Sequence, residues 1–137
     1  MNSLINICKL LDKLNYFEIS DDIFFKQASK KSILKKRILI PTEIQKKAEE
    51  AYKNRNKEIK YGNQDSYELA KNLYTNVYMD LDDVLKIHKY TMKNRFTHSK
   101  SKKQPSFWEY ELYGGDEGRI WASNIIRIYL PEKWISN

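Results

Sequence analysis

The chain has 137 residues, of which 41% are hydrophobic, 31% charged and 13% aromatic, enough for one compact core and too little for two large ones. This apolar fraction excludes an intrinsically disordered chain, and four glycines with three prolines leave little room for low-complexity linkers. Apolar runs are far shorter than the roughly 18 residues of a membrane span, so we expect no membrane partner.

The positive charge is concentrated in one quarter of the chain. The net charge is +7, and residues 31–60 contribute +6 of it, from ten basic and four acidic side chains. Lysine outnumbers arginine by 20 to 5, and Lys, Ile and Asn together make up 46 residues, as an AT-rich genome would produce. The charge therefore has two explanations, codon usage or an acidic partner such as nucleic acid.

The cysteine usage and the N-terminal sequence bear on the compartment. Cys8 is the single cysteine and cannot form an internal disulfide, which is typical of a reducing environment. Residues 1–13 lack the basic region and the small-residue cleavage site of a secretory signal. We therefore expect an intracellular protein.

The first forty residues combine one predicted helix with a segment of uncertain structure. A stripe of helical period covers residues 3–15, after Ser3 as N-cap. Residues 16–28 lose this period and are compatible with two short strands or with a capped short helix. Pro41 disfavours helix at Ile40, so we place a boundary there. It separates an N-terminal part (1–40) from a helical domain (41–137). The N-terminal part either is separate or belongs to the same core.

Thr42 is predicted to cap the strongest helix, which extends to about Lys60. Its apolar arc includes Ile44 and Arg55. Its opposite face carries four lysines: Lys46, Lys53, Lys57 and Lys60. Such a ridge is either an ordinary solvated face, with Glu49–Lys53 as an i,i+4 pair, or a row of phosphate contacts.

Two further helices are predicted after Gly62, which is placed to end the first. Asp65 and Glu68 resemble a capping pair for residues 66–76, and Asp80 opens another helix through about Arg95. That second helix carries three lysines on one stripe: Lys86, Lys89 and Lys93. The pair matches a helix-turn-helix-like hairpin that would offer these lysines to a phosphate backbone or groove, although any helical hairpin shows the same pattern.

A basic loop, residues 97–106, precedes an aromatic C-terminal part. We expect the loop to be a flexible arm with three lysines: Lys100, Lys102 and Lys103. A short helix (106–113), a glycine break and a final helix (116–130) follow, so the predicted fold is a small all-α domain. The aromatic side chains crowded here either form the core or stack on single-stranded nucleic acid. Trp121 and Tyr129 fall on the inward-facing arc of the final helix, which favours the core.

The polar residues that could carry chemistry favour a non-enzymatic protein without cofactor or metal. His88 lies within an apolar arc with no Cys or His at ligand spacing, which favours a packed histidine. His98, at the loop margin, is either a phosphate contact or an exposed loop residue. The sequence also lacks a nucleophile elbow, a P-loop and a dinucleotide fingerprint.

The glycine-rich segment before the last helix is interpreted as a structural corner. Gly114 and Gly115 would adopt positive φ, Asp116 would cap the last helix, and Gly118 would allow a close approach. Trp121, one turn in, is predicted to be buried against Trp108 or Tyr110. The alternative is a binding site in which Asp116 and Arg119 address a ligand.

The segment Gly114–Ala122 also reads Gly-Gly-Asp-x-Gly-x-x-Trp-Ala, and Pro105–Ser106 precede the aromatic helix. With these features, residues 48–126 resemble a small helical domain of unassigned function that tailed phages and related viruses encode. The Gly-Gly-Thr segment of that family is replaced here by Tyr61–Asn63. The resemblance implies a viral origin and a non-enzymatic role, and it carries over no catalytic residues.

These observations lead to one main hypothesis and one alternative. The main hypothesis is a phage or viral module, in the host cytoplasm or the virion interior, that binds nucleic acid through phosphate contacts of the two lysine ridges and the arm. DNA bound without sequence specificity is the favoured partner, and the sequence leaves DNA and RNA open. The alternative is a protein-interaction or virion-assembly module with a viral or host protein partner, whose basic surface reflects codon usage. It predicts an exposed apolar patch, which we expect in residues 16–25.

Overall fold

The computed structural model describes residues 31–131. The chain forms two compact units, Met1–Lys36 and Arg37–Asn137. In the first unit, residues 31–34 are helical. The predictions made for residues 1–30, namely the first helix, the aperiodic segment and its apolar patch, lie outside the described residues.

The second unit is mostly helical, which confirms the predicted all-α class. Its described residues form five helices and a two-stranded ribbon. In chain order the elements are β1 (Arg37–Leu39), α1 (Thr42–Asn54), α2 (Gln64–Thr75), β2 (Tyr78–Asp80), α3 (Leu81–Asn94), α4 (Pro105–Leu112) and α5 (Gly115–Tyr129).

The ribbon of β1 and β2 is absent from the sequence predictions. Its strands pair antiparallel, with Ile38 opposite Met79 and Leu39 opposite Tyr78. Ile38 and Met79 are buried, whereas Leu39 and Tyr78 are exposed. Three-residue strands are too short to show a clear alternation in sequence, and this pairing joins segments that α1 and α2 separate.

Close packing of α1 on α2 forms one half of the core. Ala48 and Ala70 are fully buried, and side chains this small allow two helix axes to approach closely. Gln45 joins the helices further, because its Nε2 donates to the carbonyl oxygens of Leu73 at 3.0 Å and Asn76 at 2.6 Å. These bonds satisfy acceptors at the end of α2 that lack a partner within the helix.

Packing of α3 on α5 forms the other half of the core. Val84 and Ile87 of α3 and Ile126 of α5 are buried there. Helix α4 lies against α1, α2 and α5 and buries Tyr110 and Leu112. Each of the five helices therefore contributes one apolar face to the core of this unit.

Helix α1 ends at Asn54, not at about Lys60 as predicted. Asn56 has a φ of 63°, a conformation that an α-helix does not continue through. Arg55 was expected on the apolar arc but stacks on Tyr52, with its guanidinium carbon 3.6 Å from the ring centroid. Its Nη1 also donates to the Tyr52 carbonyl oxygen at 2.7 Å, which satisfies an acceptor at the helix end.

Helix α2 begins at a capping box that differs from the predicted Asp65–Glu68 pair. The Asn63 side chain accepts from the Ser66 N–H, and the Ser66 hydroxyl accepts from the Asn63 N–H, each at 2.9 Å. Gly62, expected to terminate the preceding helix, lies in the segment before this cap with a φ of 77°. Short polar side chains of several types satisfy the same N–H groups, so the sequence alone does not select the pair.

The two helices of the predicted hairpin, α2 and α3, are present, and α3 begins directly after Asp80 as expected. Their connection contains strand β2. Helix α2 packs mainly on α1, and α3 packs mainly on α5. A groove lined by residues of both helices lies between α2 and α3.

The corner between α4 and α5 is built on glycine. Gly114 and Gly115 have φ values of 95° and 64°, which glycine adopts without the steric cost of a Cβ atom. Gly118 lies in the first turn of α5 against the backbone. A Cβ atom there would collide with the carbonyl oxygen of Tyr113.

Two predictions for this corner are wrong. Gly114 is the N-cap of α5, so Asp116 lies at the second helical position and makes no capping bond; its carboxylate accepts from the Tyr110 hydroxyl instead. Trp121 is half-buried, not buried. The ring stacked on Trp108 belongs to Tyr61, which lies between α1 and α2 and which a helical wheel of α5 does not reveal.

We expect Gly118→Ala to destabilise the protein, although alanine is the better helix former. At a helix position with free space around it, replacing glycine by alanine raises the free energy of unfolding by about 0.5–1 kcal/mol. Here the methyl group meets a backbone carbonyl that cannot rotate away. The expected net loss is about 1–3 kcal/mol, the usual cost of overpacking, measured by urea unfolding.

The matched control is Asn124→Ala, at an exposed position of the same helix. It should change the free energy of unfolding by less than about 0.5 kcal/mol. A Gly118→Ala protein as stable as the parent chain would contradict the close approach of Gly118 to the Tyr113 carbonyl.

Candidate nucleic-acid interface

The four lysines predicted to form one ridge occupy two separate places. Lys46 and Lys53 lie on α1, where the Lys53 Nζ is 2.7 Å from a carboxylate oxygen of Glu49. Lys57 and Lys60 lie in the segment between α1 and α2. The prediction of a single ridge is wrong because α1 ends before its last two members.

Lys57 instead shares a cleft with two lysines of the predicted arm. The cleft has a volume of about 410 Å³ and lies between the end of α1, the loop before α4 and α4 itself. The described residues that line it are Asn54, Lys57, Glu58, Ile59, Tyr61, Lys102, Lys103 and Trp108. We name it the lysine–tryptophan cleft. Three lysines against one glutamate make its lining positive at neutral pH.

The indole of Trp108 is held in one orientation at the wall of this cleft. It stacks on Tyr61, with ring centroids 5.9 Å apart and planes inclined by 16°. Its Nε1 donates to the Lys102 carbonyl oxygen at 2.8 Å, and Phe107 meets it edge-on at 5.1 Å. Because Trp108 is half-buried and lines the cleft, part of its surface stays accessible beside the lysine amines.

Tyr61, which supports Trp108, is anchored to both α1 and α2. Its hydroxyl donates to the Ala51 carbonyl oxygen at 2.7 Å. The Tyr67 hydroxyl donates to the Tyr61 carbonyl oxygen. Burial raises the pKa of Tyr61 to about 12, so its phenol stays protonated and continues to donate near neutral pH. The aromatic wall is therefore part of the folded core.

The three predicted lysines of α3 line a second groove, between α2 and α3: Lys86, Lys89 and Lys93. This groove has a volume of about 640 Å³, and α2 contributes Asp65 and Glu68 to it. Lys86 Nζ also lies 3.5 Å from a carboxylate oxygen of Asp83, on its own helix. Carboxylates thus offset most of the positive charge of this stripe.

The loop before α4 is tied to the helices at several points. The Ser106 hydroxyl accepts from the Ser99 N–H at 2.9 Å. The His98 ring stacks on Tyr110 with centroids 3.7 Å apart, and its Nδ1 lies 2.9 Å from the Asn94 carbonyl oxygen. These contacts tie the margins of the loop to α3 and α4.

Lys100, the third lysine of that loop, stands apart from the lysine–tryptophan cleft. It lines a small cavity of about 180 Å³ together with Glu111 and Glu117. Both glutamates pair with Lys47, at 3.2 and 3.3 Å. The loop therefore delivers two of its three lysines, not all three, to one surface.

Tyr110 connects the loop to α5. Its side chain is 1% exposed, and its hydroxyl donates to Asp116 Oδ1 at 2.8 Å and accepts from Arg119 Nε at 3.2 Å. Burial acts to raise the pKa of Asp116, but the Tyr110 hydrogen bond and the Arg119 charge outweigh it and lower that pKa. Asp116 is therefore ionised at neutral pH with internal partners.

The structure brings three arginines to one groove, and only one of them, Arg119, was a candidate binding residue from the sequence. The groove between α3 and α5 has a volume of about 620 Å³, and its lining includes Arg95, Arg119 and Arg127. No carboxylate is among the described residues that line it. The chain has only five arginines, so their scarcity beside twenty lysines is the signal that could have identified them.

His88 lies in the same groove as a packed histidine. Its Nδ1 is 3.1 Å from the Ser123 hydroxyl, and burial together with the charges of Arg127 and Lys89 lowers its pKa. Within residues 31–131, no group of three or more His, Cys, Asp and Glu side chains is placed to hold a metal ion. None of the described helices is long and apolar enough to cross a membrane.

No protein-family model, curated protein or solved structure matches this chain.

We expect Tyr110→Phe to lower the free energy of unfolding by about 0.5–1.5 kcal/mol at pH 7, because it removes a hydrogen bond to Asp116. The Asp116 pKa should rise toward the ordinary value of about 3.9. A lowered carboxyl pKa contributes stability above the unfolded-state pKa and loses it as the pH falls through the folded-state pKa. The difference from the parent chain should therefore shrink below about pH 4.

Urea unfolding at several pH values measures this difference. Tyr78→Phe, at an exposed ribbon position, is the control and should leave stability within about 0.5 kcal/mol. If Tyr110→Phe matched the parent chain at every pH, the bond to Asp116 would have no energetic role.

Proposed function

We propose that this protein is a non-enzymatic nucleic-acid-binding module whose main contact is the lysine–tryptophan cleft. One observation carries the proposal: Lys57, which is distant in sequence from Lys102 and Lys103, lines the same cleft as those two lysines and the half-buried indole of Trp108. Lysine amines neutralise backbone phosphates, and an accessible indole stacks on a base. Surfaces that bind single-stranded nucleic acid usually combine such basic groups with an aromatic side chain.

The chemistry of the cleft supports single-stranded DNA bound without sequence specificity. Stacking needs an unpaired base and is tolerant of base identity, because every base has a π face. Ammonium groups contact phosphates, which carry no sequence information. Glu58 is the only carboxylate and no histidine is present among the described lining residues, so the cleft offers no acid–base pair for catalysis.

The other predicted lysines have a smaller part in this proposal. Lys46 and Lys60 are exposed and add to long-range attraction of a polyanion. The α3 lysines face Asp65 and Glu68 across their groove, so a phosphate there would also meet negative charge. The Gly114–Ala122 resemblance supports a phage or viral setting, with action in the host cytoplasm or inside the virion.

The first test replaces the three cleft lysines with glutamine. Fluorescence anisotropy with short labelled oligonucleotides should show binding by the parent chain that weakens with salt. The variant Lys57→Gln/Lys102→Gln/Lys103→Gln should bind about tenfold or more weakly at low salt. Its log–log salt slope should also become shallower by about 2, since each single-strand phosphate contact contributes roughly −0.7.

The matched control is Lys86→Gln/Lys89→Gln/Lys93→Gln, which removes the same formal charge from the compensated groove. Its loss of affinity should be clearly smaller. Equal losses for the two triple variants would show that only net charge matters. Absence of binding to any DNA at low salt would end the proposal.

A second test addresses the stacking role of Trp108. Trp108→Leu should weaken single-strand binding by about 1–3 kcal/mol, the usual contribution of one stacked base, and should affect duplex binding much less. Trp121→Leu is the control, because Trp121 is also half-buried but does not line the cleft. Thermal melts confirm that both variants fold, and equal affinities for the two would exclude stacking on Trp108.

One observation favours the assembly alternative. Leu39, Val77 and Tyr78 of the ribbon region are 60%, 62% and 45% exposed. Neighbouring exposed apolar side chains are typical of protein contacts. If the protein failed to bind nucleic acid and formed an oligomer that Leu39→Ser dissociated in light scattering, an assembly role would replace the first proposal.

A further inference from the structure

We propose that the groove between α3 and α5 binds a ligand that joins a phosphate group to an apolar body, such as a nucleoside phosphate. We name it the arginine groove, after Arg95, Arg119 and Arg127 in its lining. It shares no lining residue with the lysine–tryptophan cleft. The inference therefore does not depend on the function proposed for that cleft.

Two of the three arginines lack a compensating carboxylate within residues 31–131. Arg95 lies over the Phe96 ring at 4.6 Å, and its Nη1 is 3.7 Å from the Met92 sulfur. Arg127 acts on His88 only as a nearby positive charge and forms no ion pair with a described carboxylate. Both arginines are exposed, and apart from the Arg95 Nη1 bond to the Met92 sulfur their guanidinium donors are open to an anion.

The third arginine is held in place by its neighbours. Arg119 Nε donates to the Tyr110 hydroxyl at 3.2 Å and lies 3.6 Å from Asp116 Oδ1. Asp116 does not line the groove, so its charge orients Arg119 from behind. The remaining nitrogens of this guanidinium form no hydrogen bond within the described part of the chain, and an oriented guanidinium loses little entropy on binding an anion.

The charge and donor geometry favour phosphate over other anions. A guanidinium presents parallel N–H donors that match phosphate oxygens two at a time. A terminal phosphate has about two negative charges near neutral pH and three free oxygens, enough for more than one arginine. A single carboxylate has two oxygens and one charge, and so satisfies fewer of these donors.

The lining also has a polar part, His88, Ser123 and Asn124, and an apolar part that would contact an apolar body beside the phosphate. Met92, Ile120, Ile126 and Leu130 also line the groove, and Ile120 is 52% exposed. The volume of about 620 Å³ lies within the usual range of small-molecule sites, roughly 300–1,000 Å³, and exceeds what one phosphate needs. A base and sugar attached to the phosphate would fill this space.

Two sources supply this chemistry, a free nucleoside phosphate and the phosphorylated end of a nucleic acid strand. The full-length protein is titrated by calorimetry with ADP, pyrophosphate and adenosine, and with an oligonucleotide with and without a 5′-phosphate. We expect ADP to bind more tightly than either pyrophosphate or adenosine. If the 5′-phosphorylated oligonucleotide binds more tightly than the unphosphorylated one and ADP competes with it, the groove binds strand ends. If ADP binds but does not compete with the oligonucleotide, the groove binds free nucleotides.

The chain provides an internal spectroscopic reporter. It has two histidines, His88 inside the arginine groove and His98 in the loop against Tyr110. On addition of ADP, the NMR signals of the His88 imidazole should shift while those of His98 stay in place. Shifts of equal size at both histidines would overturn the assignment to this groove.

The decisive variant is Arg95→Gln/Arg127→Gln, which changes two exposed side chains. It should weaken ADP binding by about tenfold or more, the expected loss of charged hydrogen bonds. Arg37→Gln, on β1 outside the groove, should leave ADP affinity unchanged. The proposal would be overturned if the double variant bound ADP as tightly as the parent chain, or if no phosphate ligand bound at all. Neither result tests the nucleic-acid binding proposed for Lys57, Lys102 and Lys103.

Discussion

The buried side chain of Tyr110 is the link on which both candidate sites depend. Its ring packs face to face with His98 of the loop, and its hydroxyl joins Asp116 and Arg119 in the first turns of α5. The loop contact fixes the segment that brings Lys102 and Lys103 to the lysine–tryptophan cleft, and the hydroxyl orients the arginine that lines the other groove. Tyrosine serves both purposes because it combines a large apolar ring with a polar tip.

The availability of each basic side chain depends on its neighbours more than on its place in a run of lysines. Lys53 and Lys86 belong to clear lysine stripes, yet each has a carboxylate within 3.5 Å. Arg127 stands alone in sequence, yet no carboxylate is among the described residues of its groove. Because an exposed ion pair contributes little stability but does neutralise charge locally, such pairing changes what a surface attracts without greatly changing the fold.

Much of the helical architecture follows from the sequence pattern, and the departures have local causes. The 3.6-residue apolar period places α1, α3 and α5, because burial of one face is what each helix needs in any compact fold. The period does not show where α1 ends, because the apolar pattern continues past Asn54. The helix stops there in the structure, where Asn56 has a positive φ and Arg55 stacks on Tyr52. Nor does the period show the ribbon, whose pairing joins Ile38 to Met79 across two helices.

The sequence by itself determined the all-α class, the glycine corner at Gly114–Gly115 and the abundance of basic groups, because period, backbone freedom and charge are properties of neighbouring residues. Only the tertiary structure decided which basic groups meet. Lys57 joins Lys102 and Lys103 because α1 ends early and the loop folds back along α4, and Arg95 joins Arg119 and Arg127 because α3 packs on α5. The Trp108–Tyr61 stack has the same origin. Contacts between residues far apart in the chain arise from how helix faces pack, and no local pattern records that packing.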